Sequence, residues 1–263
     1  MKYFICVGHA NYGGGIISSA DGTSKGGVNE YKYNKELAPY VCKWLKTAGH
    51  EATLCIAPEG QLHSLNDEIK YFIEEEHKQN YDLSVQLHLN AFNGEAYGCE
   101  VYCYNANGLP EAQRISAKLG TVWHDRGAEE RPGLYWTRKT KAKAVLVESF
   151  FCDNKDDYAK AKKLGMDAHG KLIAEGILGK TITIAPAQPK AKYYIQAGAY
   201  GTKENADVMV KVLKKKGFPA SIRKVAGSVP YRVQVGTHRT KKAANKVVKK
   251  LKTAGFTVLV KSL

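Results

Sequence analysis

Two histidines and two glutamates stand where an open α/β sheet could bring them together: His9, Glu30, His88 and Glu148. His9 follows the short apolar run Tyr3-Phe4-Ile5-Cys6-Val7, and Glu30 opens a helical pattern after a glycine-rich stretch over residues 13–27. His88 lies near the end of Ser84-Val85-Gln86-Leu87-His88-Leu89-Asn90, and Glu148 follows Ala144-Val145-Leu146-Val147. Two imidazoles, one carboxylate and an open fourth position make a catalytic zinc set. Zinc held this way lowers the pKa of its bound water to about 7. A second carboxylate nearby can take that water's proton and pass it to a leaving amine. Glu148 emerges from an apolar strand, so an ionisable group there calls for a purpose. Taken singly, each residue has an ordinary explanation. Histidines serve as hydrogen-bonding structural residues, a glutamate at a helix start is favoured by the dipole, and Glu148 could be half of a buried ion pair. The ordered set is what points to chemistry. His50, His63, His77, His124, His169 and His238 fall on helical or polar stretches and are read as structural or surface residues.

The elements that must position this set alternate. Residues 3–7, 52–56, 82–89, 98–104 and 144–151 read as strands. Residues 29–48, 65–77, 111–124 and 155–178 carry helical spacing or composition, with a kink or restart expected at Pro39. Strands alternating with helices imply an α/β domain: a mainly parallel twisted sheet with helices on both faces. In such a sheet the carboxyl ends of the strands line one crevice, where the four residues can meet.

Charge divides the chain. Residues 1–183 hold 22 Lys+Arg against 23 Asp+Glu, whereas residues 184–263 hold 18 against 2, so the whole excess of +15 sits in the tail. A tail of that kind meets a polyanion, and nucleic acid, an anionic membrane and a Gram-positive wall all qualify on charge alone. No run of about 18 apolar residues exists to span a membrane. The N-terminus reads as a strand rather than a secretory signal, so the expectation is synthesis in the cytoplasm and another route to any external target. Six scattered cysteines form no C-x-x-C pair and are expected to be buried thiols.

The expected domains are residues 1–182, a Pro/Ala linker over 183–191, and 192–263. The last repeats itself at an offset of 38 residues: Tyr193, Gln196, Thr202, Ala206, Leu213 and Phe218 recur as Tyr231, Gln234, Thr240, Ala244, Leu251 and Phe256. Two strand–helix–strand copies make a small α+β domain of βαββαβ, ferredoxin-like order.

The ordered motifs Gly8-His9, Glu30-x-x-x-Asn34, Ser84-x-x-x-His88-x-Asn90 and Val145-Leu146-Val147-Glu148-Ser149 resemble the type-3 zinc class of N-acetylmuramoyl-L-alanine amidases, over about residues 1–180. That resemblance implies cleavage of bacterial peptidoglycan between N-acetylmuramic acid and L-alanine. It implies His9, Glu30 and His88 as ligands of Zn2+, Glu148 as the catalytic carboxylate and Asn90 as a substrate-binding residue. The family's usual Asp-Pro-Gly-His-Gly is replaced here by Cys6-Val7-Gly8-His9-Ala10. The C-terminal repeat resembles the SPOR modules, which implies binding of glycan strands stripped of stem peptides. If Ile195, Ala197, Val233 and Val235 pack inward, Tyr194, Gln196, Arg232 and Gln234 face outward as a sugar-binding surface. Two other functions stay open: a zinc carboxypeptidase or endopeptidase on stem peptides, and a nucleic-acid-binding protein. The latter leaves the four-residue set unexplained, so no nucleic-acid partner is expected. Delivery to the wall by phage lysis or mother-cell lysis is the expected route, and nothing in the pattern specifies an oligomer.

Overall fold

The computed structural model describes residues 1–183 and 191–263; most of the expected linker, residues 184–190, lies outside the described residues. The chain divides into two compact units, residues 1–184 and 185–263. The first contains, in order, β1 (Lys2–Val7), β2 (Asn11–Gly13), β3 (Ile16–Ile17), α1 (Glu30–Thr47), β4 (Glu51–Cys55), α2 (Leu65–His77), β5 (Leu83–Asn90) and β6 (Cys99–Cys103). There follow α3 (Leu109–Leu119), β7 (Asp125–Glu130), α4 (Tyr135–Lys139), β8 (Ala144–Phe151), α5 (Lys155–Leu164) and α6 (Met166–Leu178). Six strands form one sheet in the order β4-β1-β5-β8-β6-β7. All neighbours run parallel except β6 and β8.

Both faces of this sheet are covered, as the continuous apolar runs require. Along β1 the side chains alternate between two cores. Tyr3, Ile5 and Val7 pack with Leu37, Val41 and Leu45 of α1, Ile115 of α3 and Ile173 of α6. Phe4 and Cys6 pack on the other side with Phe72 of α2 and Trp136 of α4. All six cysteines are buried and unpaired.

Two sequence expectations are sharpened. Helix α1 runs through Pro39 without a restart: the proline is on the exposed side, where solvent can satisfy the carbonyl that loses its amide partner. The helical region expected over 155–178 is two helices, because Gly165 takes φ 78° and ends α5 before α6 begins.

His169 on α6 is fully buried beside Trp123 and Phe150, 2.9 Å from the Tyr33 hydroxyl and hydrogen-bonded to it. Burial holds its imidazole down at about 3. The unfolded chain therefore binds one more proton than the folded chain between about pH 6.5 and pH 3. This group's contribution to stability is complete above pH 6.5 and falls by about 1.4 kcal/mol per unit below it. Urea unfolding midpoints followed from pH 7.5 to pH 5 are expected to fall more steeply in the parent chain than in His169→Gln. Parallel slopes would contradict this.

The second unit contains β9 (Tyr193–Tyr200), α7 (Lys203–Lys215), β10 (Ala220–Lys224), β11 (Tyr231–His238), α8 (Lys241–Thr253) and β12 (Leu259–Ser262), the expected βαββαβ order. The repeat is visible in its details. Thr202 caps α7 by accepting from the Asn205 N–H, and Thr240 caps α8 by accepting from the Ala243 N–H. Phe218 and Phe256 meet edge to face with ring centroids 6.0 Å apart. The sheet order is β10-β11-β9-β12, all pairs antiparallel, so neither copy pairs its own two strands with each other. No helix among the described residues is long and apolar enough to cross a membrane.

Candidate metal centre

The structure brings His9, Glu30 and His88 to one point at the carboxyl end of the sheet. His9 follows β1, His88 sits near the end of the neighbouring β5, and Glu30 is the first residue of α1. One nitrogen or oxygen from each lies within 4.8 Å of the others. Asn29 caps α1 by accepting the Lys32 N–H, which fixes where the helix starts. The Glu30 carboxylate is buried. Its Oε1 lies 2.9 Å from His88 Nδ1 and accepts from the Leu89 N–H at 3.0 Å. Its Oε2 accepts from the Ala20 N–H at 3.2 Å and lies 3.2 Å from His9 Nε2.

These separations suit a small ion. Ligands at zinc distances around a tetrahedral ion stand about 3.3 Å apart, close to the 3.2 Å and 2.9 Å seen here. The donor set, two imidazole nitrogens and one carboxylate with no Lys or Arg paired to it among the described residues, also fits zinc. Burial pushes the Glu30 carboxyl up, but hydrogen bonds from His88 and His9 outweigh it and hold the group well below the usual carboxylate range. At His9 burial works downward, and Glu30 overrides it, leaving the imidazole raised. At His88 burial wins and the imidazole is lowered, so it is neutral near pH 7.

The backbone is shaped around these rings. A Cβ on residue 8 would sit 2.2 Å from Cε1 and Nε2 of His88, so only glycine lets that ring pack over β1. His9 itself has φ 69°, the one non-glycine residue in the left-handed region among the described residues. Such strain persists where the surroundings over-determine it, which is common at functional sites.

Glu148 lies one strand further across, on β8, directly opposite His88 on one side and Glu100 of β6 on the other. Its Oε2 is buried and has no hydrogen-bond partner among the described residues. Burial, with the charges of Glu30 and Glu100 adding to it, pushes its carboxyl well above the usual range. Asn90 donates to Glu100 Oε1 and accepts from the Ala91 N–H, so protein groups engage its amide. Glu100 is held in turn by Arg126 at 3.2 Å.

Two residues near His9 gave no signal in the sequence. Ser18, just past the β2–β3 hairpin, and Glu68 of α2 lie 3.4 Å and 3.8 Å from His9 Nδ1. Glu68 reads in sequence as one of two acids favouring a helix start, Asp67 being the other; only the fold shows that it is buried against the site.

In the second unit Tyr194 lies outside the helix-side core while Ile195, Ala197, Val233 and Val235 lie within it, as alternation requires. Gln196 stands opposite Gln234, and Arg232 opposite Arg223. The expected open aromatic is corrected, however: Tyr194 is buried, with the Arg223 guanidinium 5.3 Å above its ring. Distant pairing, not local alternation, decides that cover.

Residues 4–179 match the family model of N-acetylmuramoyl-L-alanine amidases. The chain belongs to this family. Residues 189–262 match the SPOR domain. The amidase unit is 48% identical to the catalytic domain of the CD27L endolysin targeting Clostridia difficile, with a TM-score of 0.66, over 70% of this chain and 99% of that one. It is 30% identical to the N-acetylmuramoyl-L-alanine amidase CwlM of Bacillus licheniformis over 149 residues, 54% of this chain and 56% of that one. An uncharacterized protein of Clostridium perfringens is 32% identical over 59% of this chain and 47% of its own length. The chain thus spans about half the length of these two curated relatives. The amidase AmiC2 of Nostoc punctiforme, 22% identical over 68% of this chain and 96% of its own, shares the fold with a TM-score of 0.57.

Proposed function

We propose that this chain is a zinc-dependent peptidoglycan hydrolase that cuts the amide between N-acetylmuramic acid and the first L-alanine of the stem peptide. The observation that carries it is the convergence of His9, Glu30 and His88 beside a Glu148 carboxylate whose Oε2 has no hydrogen-bond partner among the described residues, in a chain of the amidase family. His9, Glu30 and His88 would hold the metal. When bound, zinc supplies a Lewis acid for the scissile carbonyl and makes water acidic enough to attack at neutral pH. Glu148 then takes the proton of the attacking water at Oε2 and returns it to the nitrogen of the departing peptide. Purified wall digested with the enzyme is expected to gain L-alanine amino groups while its glycan stays intact. Release of D-alanine alone, or cleavage of cross-bridges alone, would refute the assignment in favour of a peptidase.

The SPOR unit holds the enzyme to wall glycan in this proposal, with Gln196, Gln234, Arg232 and Arg223, which covers the buried Tyr194, as the outward surface. Each unit has its own apolar core. A fragment of residues 1–183 is therefore expected to fold and keep activity on soluble substrate while sedimenting poorly with walls. Wall binding equal to that of the full chain would remove the second unit from targeting. Release as an endolysin, through holes opened in the membrane, is supported by the 48% likeness to an endolysin catalytic domain.

A further inference from the structure

The metal-centre geometry leaves one imidazole nitrogen unexplained. His9 Nε2 faces Glu30, but Nδ1 faces away from it, into a pocket containing Ser18 and Glu68. Ser18 Oγ donates its proton to Glu68 Oε2 at 2.6 Å and accepts the Ala10 N–H at 3.0 Å. A hydroxyl has one proton to give. With that proton committed to Glu68, Ser18 offers His9 Nδ1 only an acceptor. The Glu68 carboxylate, with Oε1 3.8 Å from the same nitrogen, is an acceptor too. The Tyr12 hydroxyl donates to Glu68 Oε2 at 3.1 Å, fixing the carboxylate from another side.

We propose that Glu68, acting through Ser18, is the positioning residue of the centre: it holds the proton on His9 Nδ1 and so directs the Nε2 lone pair at the cation. This rests on the zinc reading given above. Three features set Glu68 apart from an ordinary helix-start carboxylate. It is buried, no Lys or Arg pairs with it among the described residues, and its polar contacts include residues 12 and 18, far from its own helix. The hairpin formed by β2 and β3 brings Ser18 back against Ala10, which ties the left-handed turn at His9 to this network. A ligand histidine whose other nitrogen donates to a carboxylate, directly or through a relay, keeps both its tautomer and its ring angle.

The test uses the full chain with Glu68→Gln and, because a buried glutamate can also matter for folding, Ser18→Ala as an independent variant. Zinc affinity is measured by competition with a chromophoric chelator, and the His9 Nδ1–H by its proton and nitrogen-15 shifts and its solvent exchange in the zinc-loaded protein at pH 8. Expected are a zinc affinity lowered by about 10- to 100-fold and a His9 Nδ1–H that exchanges faster and moves upfield, with the His88 signals unchanged. Parent-like affinity and an unchanged Nδ1–H in both variants would overturn the inference while leaving the zinc reading intact. A parent chain that takes no zinc would overturn both.

Discussion

Replacing Glu148 with glutamine is expected to lower the turnover of wall by about 10²–10⁴-fold, the usual contribution of a positioned general base. That corresponds to roughly 3–5 kcal/mol of transition-state stabilisation. Zinc content is expected to stay at the parent level, because Glu148 is not among the three converging donors. Folding stability is expected to hold or rise, which separates this variant from a merely damaged protein. A carboxylate whose Oε2 is buried without a partner costs free energy when charged, and an amide there costs less. The sign follows from the raised carboxyl. A carboxyl raised on folding destabilises the native state as pH climbs above the unfolded value. The gain in thermal midpoint of the metal-free variant is therefore expected near neutral pH and to fade towards the ordinary carboxylate range. Full lytic activity in Glu148→Gln would remove this residue from the mechanism.

The second large effect concerns the ion itself. Free zinc at about a thousand times its dissociation constant stabilises a folded chain by roughly 4 kcal/mol. That gain is expected in the parent and to vanish on chelation. It is also expected to vanish in His9→Ala and in His88→Ala, each of which leaves two of the three donors. Wall hydrolysis is expected to disappear with it. Metal analysis that still finds one equivalent of zinc in either variant would place the ion elsewhere.

Much of this site was legible in the sequence because its parts sit at element ends, where pattern and chemistry coincide. A histidine after an apolar run and a glutamate at a helix start fix a place along the chain, and parallel strand order brings those places together. What stayed hidden depends on distant packing. Glu68 looks like any first-turn acid until the hairpin delivers Ser18 beside it. Strand β7, reading Asp-Arg-Gly-Ala-Glu-Glu, has no apolar alternation because it is an edge of the sheet, where charge discourages further pairing. The cover over Tyr194 comes from Arg223, a residue of the other edge hairpin, which no alternation along β9 can reveal.

The exchanged strands of the C-terminal repeat carry a consequence for synthesis on the ribosome. Among the described residues, strand β10 pairs only with β11, and β12 only with β9. The first copy therefore has nothing to zip against as it emerges, and closing the sheet waits for β12. Half of the duplication, expressed alone, could complete its sheet only by borrowing from a twin molecule, which makes the duplicated unit a covalently fused form of a swapped dimer.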